Sequence, residues 1–167
     1  AATLDEPVAW TTVDRGERDA QRFWLHVIDA LADAADGEVV ERITPGPSFA
    51  GAAVVERLLS QLGQLGTPCV LLIDDLHELD STDALASLEL LLSQLPPTLR
   101  VALSTRKDPG LGLHRLRLDG ALTEIRAADL RFTLDETCEL LAASGIELSA
   151  AGMALLYQRT EGWAAGL

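Results

Sequence analysis

The residues best suited to chemistry lie together in VLLIDDLHELD, residues 70–80. Four aliphatic residues run into Asp74 and Asp75, and His77, Glu78 and Asp80 follow. A carboxylate at the carboxyl end of a buried strand is where phosphoryl-transfer NTPases hold Mg²⁺. A parallel sheet presents its strand ends to a single crevice, so a metal can be met there without burying a free charge. In that reading Asp74 holds the metal and Asp75 polarises an attacking water, two tasks that suit a reaction driven mainly by positioning and electrostatics. An aliphatic strand that simply ends in solvent has the same pattern, and so short a motif has many accidental matches. The usual companion is a phosphate cradle, G-x-x-x-x-G-K-[ST], whose amides and lysine surround the phosphates. Lys107 is the one lysine in the chain; Arg106 precedes it and Asp108 follows, so it is not the lysine of such a loop.

The elements that must position these residues follow from periodicity. Residues 8–13 (VAWTTV) read as a strand. The stripe Phe23, Trp24, Val27, Ile28 and Leu31 predicts a helix over about 18–35, ended by Gly37. Residues 44–51 (TPGPSFAG) form a loop, and a helix follows near 52–65. Residues 69–73 (CVLLI) are apolar without interruption, as suits the middle of a parallel sheet. Asp80, Ser81 and Thr82 can cap a helix of about 83–95, which Pro96 and Pro97 end. Residues 99–104 and 122–126 read as further strands, separated by a loop (TRKDPGLG) and a short basic segment. Thr133 and Glu136 stand at capping-box spacing before a helix over about 134–144. Ser149 can cap a last helix through about 161. Alternating strands and helices predict an α/β fold, a parallel sheet covered on both faces. Alternation stops near 130, which sets an α/β domain at 1–130 and a helical segment at 131–167.

Composition limits the functions available. The chain has 167 residues, 48% of them hydrophobic, and a net charge of −13. Direct contact with a phosphate backbone is therefore disfavoured. No apolar run is long enough to span a bilayer, and AATLDEPVAW lacks the basic start and apolar core of a signal peptide. The absence of an initiator Met suggests a piece of a longer chain. Cys69 and Cys138 fit neither a zinc nor a disulfide spacing and read as reduced residues of a cytoplasmic protein.

The chain resembles the nucleotide-binding domain of LuxR-type, MalT-like transcriptional regulators, a branch of the STAND class of signal-transducing P-loop ATPases. Four stretches carry the likeness: VAWTTVDRGERDAQRFWLHVIDAL (8–31); VLLIDDLHELD as the Walker B strand; residues 99–141, with a sensor strand, an Arg-rich segment and Leu-Arg-Phe; and LSAAGMALLYQRTEGWAAGL (148–167), with Thr-Glu-Gly-Trp-Ala. The resemblance implies a P-loop NTPase-like sheet that lacks the P-loop strand. It implies Asp74 on Mg²⁺, Asp75 on water, and Arg106 as a sensor near the γ-phosphate. For His77 it leaves open a contact with the nucleotide or a cap on the next turn; Trp163 reads as a packing residue. ATP and Mg²⁺ would be cofactors of the longer protein, while the isolated chain would bind them weakly or not at all. DNA would be met only through a C-terminal domain outside these residues, in response to an inducer the sequence does not specify. In this class the P-loop strand is expected between strands 99–104 and 122–126. Its absence predicts either that the last strand slides inward or that a second copy pairs with the open edge.

Overall fold

Three of the aliphatic runs become parallel strands. The structure, a computed structural model, describes residues 6–34 and 49–166. Gly37 and most of the 44–51 loop lie outside them. The strands are β1 (Val8–Thr12), β2 (Cys69–Asp74) and β3 (Leu99–Leu103), in spatial order β1-β2-β3. Register pairs Thr12 with Asp74 and Ile73 with Leu103. Helices α1 (Ala20–Ala34) and α2 (Gly51–Leu62) connect β1 to β2, and α3 (Thr82–Ser93) connects β2 to β3.

This order decides which side the helices take. Parallel crossovers are nearly always right-handed. Two successive crossovers in the same direction across a sheet therefore leave their helices on the same face. Burial agrees: Ala9, Thr11, Cys69, Leu71, Ile73 and Leu99 are buried under the three helices. Leu58, Leu62, Leu88 and Leu91 are wholly buried, each contributing roughly 1.5–3 kcal/mol. Trp24 of α1 is also fully buried, and its indole N–H donates to Ser87 Oγ of α3 at 2.8 Å. The opposite face is not packed in the same way. Trp10 is 58% exposed there, with Val8, Thr12, Arg100 and Ala102 also exposed. The expectation of a sheet covered on both faces is thus corrected: α1, α2 and α3 share one.

Residues 122–126 are not a strand. Glu124 instead accepts two hydrogen bonds from Arg117, both at 2.9 Å, and also pairs with Arg126, while Ile125 is exposed. Apolar alternation in LTEIR has no ladder to join, and charge pairing holds an irregular segment. The inward slide of a last strand has no strand to carry it, and among the described residues β3 pairs only with β2.

The chain divides into two compact units, residues 1–116 and 117–167. The short helix α4 (His114–Leu118) begins in the first, where Leu116 packs on the core. In the second, α5 (Leu134–Ala143) starts with the expected capping box of Thr133 and Glu136, and α6 (Ala150–Thr160) is capped by Ser149. Phe132 N donates to Gly162 O at 2.8 Å, and Arg131 pairs with Glu161 at 3.1 Å. These contacts tie Leu-Arg-Phe to the Thr-Glu-Gly-Trp turn. Trp163 is 47% exposed, so it is not the core residue its size suggests.

Candidate functional site

Asp74 is the last residue of β2, the middle strand. Side chains alternate along a strand, so Asp74 shares the less covered face with Val70 and Leu72. Its Oδ1 accepts the Asp75 amide at 3.0 Å, and its carbonyl accepts Val13 N at 3.0 Å.

Asp75 then takes the left-handed conformation, φ 54 and ψ 36. That region costs an L-residue roughly 1–2 kcal/mol, less for Asp, whose short polar side chain tolerates it. Three contacts hold it. Leu76 is buried in the core, Leu76 N donates to Ser104 O at 2.9 Å, and Glu78 N donates to Asp75 O at 2.9 Å. The reversal starts one turn of 3₁₀ helix, Leu76–Glu78, and brings His77 back towards Asp75. His77 Nδ1 lies 3.7 Å from Asp75 Oδ1, and Nε2 lies 3.5 Å from Glu78 Oε1.

The turn after β2 is stitched to the loop after β1. Gly16 N donates to Glu78 Oε2 at 3.2 Å, and Asp80 N donates to Glu17 O at 2.7 Å. Glu17 and Leu79 form a parallel bridge, and Arg18 pairs with Asp80 at 3.1 Å. Glu17 itself is buried. Its Oε1 accepts Asp19 N at 2.9 Å, and its Oε2 is 3.4 Å from Arg22 Nε. Arg22 also pairs with Asp14, which follows β1. Gly16, Glu17 and Glu78 were not candidates from the sequence. Cross-loop bonds such as that from Gly16 to Glu78 leave no pattern in the chain.

Arg106 lies in the loop after β3, exposed, and among the described residues has no ion-pair partner. Ser104 holds the start of that loop against β2, donating to Ile73 O at 2.9 Å. At the carboxyl end of the sheet Asp14 follows β1, Asp74 ends β2 with Asp75 next to it, and Arg106 lies on the loop after β3. The structure brings Asp75 and His77 side by side; Arg106 stands on the neighbouring loop.

Among the described residues no three His, Cys, Asp or Glu side chains are grouped to hold a metal. A divalent cation at Asp74 would thus have at most two such ligands from these residues. Mg²⁺ is commonly held this way, by one or two carboxylates with phosphate oxygens and water completing an octahedron. The donor at Asp74 fits that cation in the presence of a phosphate. A pocket of about 450 Å³ lies at the same end of the sheet on the helix side, lined by Arg18, Asp19, Gln21, Phe49, Ser81 and Asp83. Asp19 and Ser81 already accept the first amides of α1 and α3 there, which leaves little for an anion. Cys69 is buried, and desolvation, followed by the nearby Glu6 charge, raises its thiol pKa; it is a packing residue rather than a nucleophile. No described helix is long and apolar enough to cross a membrane.

No protein-family model matches this chain. It is 31% identical over 168 residues to the serine/threonine-protein kinase PknK of Mycobacterium tuberculosis, and equally to that of Mycobacterium bovis. The match takes in 96% of this chain and 15% of each relative, so the chain spans about a seventh of the length of the proteins it is similar to.

Proposed function

We propose that this chain is part of the ATP-binding domain of a signal-transducing NTPase of the LuxR-type, MalT-like kind. It carries the Walker B and sensor elements, and the phosphate cradle comes from residues outside these 167. The observation behind the reading is Asp74: a carboxylate ending the middle strand, on the face that α1, α2 and α3 leave free. In the longer protein Asp74 would hold Mg²⁺ on the triphosphate, Asp75 would orient water, and Arg106 would meet the γ-phosphate. Mg²⁺ would supply charge neutralisation on the phosphate oxygens. His77 borders this site. The longer protein would work in the cytoplasm, associate with itself, and reach DNA through a separate C-terminal domain.

A second reading makes the chain a regulatory module whose acidic pair has lost its catalytic role. It is favoured by the likeness to a protein named as a serine/threonine kinase. This sequence contains neither H-R-D nor D-F-G, the signatures of kinase catalysis, so the likeness would concern a regulatory stretch. ATP turnover by the full-length protein, with and without Asp74→Asn, separates the two. The NTPase reading expects turnover in the wild type and its loss on substitution. Turnover absent from the wild type, or untouched by Asp74→Asn, favours the module. The 167-residue chain alone should show no calorimetric binding at micromolar ATP.

A further inference from the structure

We infer that His77 is a positioning residue that holds the Asp75 carboxylate through Nδ1, with Glu78, itself bonded by the Gly16 amide, lying against the far edge of the ring. The inference rests on the reading of Asp75 as the water-orienting group.

The geometry points to it through an unsatisfied atom. His77 is 14% exposed at its side chain, and Nδ1 is buried without a hydrogen-bond partner among the described residues. A buried polar atom of this kind calls for an explanation. The nearest carboxylate oxygen is Asp75 Oδ1 at 3.7 Å, too far for a hydrogen bond and near enough that a shift of about 1 Å would make one. Asp75 can make that shift because its side chain is partly exposed while its backbone is pinned. The ring cannot readily follow, because its other edge faces Glu78 Oε1 at 3.5 Å and Glu78 Oε2 accepts Gly16 N at 3.2 Å. The mobile carboxylate thus closes on a fixed ring. A neutral imidazole has a single N–H; placing it on Nδ1 satisfies the buried, unpartnered edge and leaves Nε2, beside Glu78 Oε1 at 3.5 Å, to accept from water. Asp75 is held at one oxygen, and its other oxygen is left to accept from water.

Two experiments test this. The first needs no nucleotide: ¹⁵N NMR of the His77 ring in this chain, at a pH where the ring is neutral. The proton should sit on Nδ1, and Asp75→Ala should move it to Nε2. A wild-type ring protonated on Nε2, or one indifferent to Asp75→Ala, overturns the inference. The second is turnover by the full-length protein. Asparagine places its amide nitrogen near the Nδ1 position, whereas glutamine places it near Nε2. Removing the positioning contact should lower kcat by as much as 10²-fold with KM little changed, in His77→Ala and His77→Gln alike, and His77→Asn should restore most of it. Equal loss in all three variants, with folding intact by circular dichroism, would mean a packing role and overturn the inference. If the wild type turns over no ATP, the NTPase reading fails by itself, and the NMR result alone decides whether His77 holds Asp75.

Discussion

Gly162 sits where no other residue fits. Its φ is +73, and a Cβ built on it would come within 2.1 Å of the Phe132 carbonyl oxygen. Glu161 before it is also left-handed, at φ 49. The close approach lets Phe132 N reach Gly162 O, so Gly162→Ala must break that bond or move the turn. We expect the second unit to lose well over 1 kcal/mol, the scale of a residue forced into a conformation its side chain rejects. Thermal melts of the variant should show a lower midpoint, and a midpoint equal to wild type would refute the packing described. At this scale the sequence was only partly legible. The place of Asp74 at the end of a strand is readable because an aliphatic run leads straight to it. The left-handed turn at Asp75 is not, since nothing marks a non-glycine residue for φ above zero. Nor is the bond from Gly16 to Glu78, which exists only once two loops far apart in the chain are folded side by side. Trp163 misleads through its size: a large aromatic reads as core, yet it is half exposed.

Helices were more legible than strands because a helix satisfies its own backbone and a strand needs a neighbour. The caps at Ser81, Thr133 and Ser149 all form, each a local side-chain-to-amide bond. Residues 122–126 alternate as a strand should and find no partner. Coverage of the sheet failed for a related reason: strand–helix alternation does not say in which direction successive strands are added, and direction decides the face. The capping box at α5 makes a prediction of its own. Hydrogen bonds from the Thr133 amide and then its hydroxyl hold the Glu136 carboxyl below its ordinary range. A carboxylate with a depressed folded pKa stabilises above its unfolded pKa, and that contribution is lost as pH falls through the folded value. Glu136→Gln should therefore be less stable than wild type at neutral pH, and the gap should close as pH drops through and below the usual carboxylate range. Denaturant midpoints across that range measure it. A gap that stays constant into acid would show that the ionised form is not what the cap uses.

At the scale of the molecule, the described residues of the first unit leave a sheet face and the outer edge of β3 open. Ser104 N bonds to Ile73 O, and Thr98 O accepts Cys69 N. Backbone groups of a strand alternate between its two neighbours, so Thr98, Arg100, Ala102 and Ser104 face β2, while Val101 and Leu103 turn their N–H and C=O groups outward; Leu99 N donates to Pro96 O at 3.0 Å. Such an edge is a template for another strand. With the inward slide of residues 122–126 removed, a second copy is the remaining expectation from the sequence. A charge of −13 on each chain opposes that pairing. Salt shortens the reach of the repulsion, to about 8 Å at physiological ionic strength and about 3 Å at 1 M. Sedimentation velocity should thus show a mass that rises with concentration and rises further with salt. Val101→Pro should stop it: proline removes an outward N–H, leaves the bonds to β2 in place, and belongs on an edge strand. The variant should keep its helical circular dichroism and sediment as a monomer. A wild-type chain that stays monomeric at high concentration in 1 M salt would remove self-association along this edge.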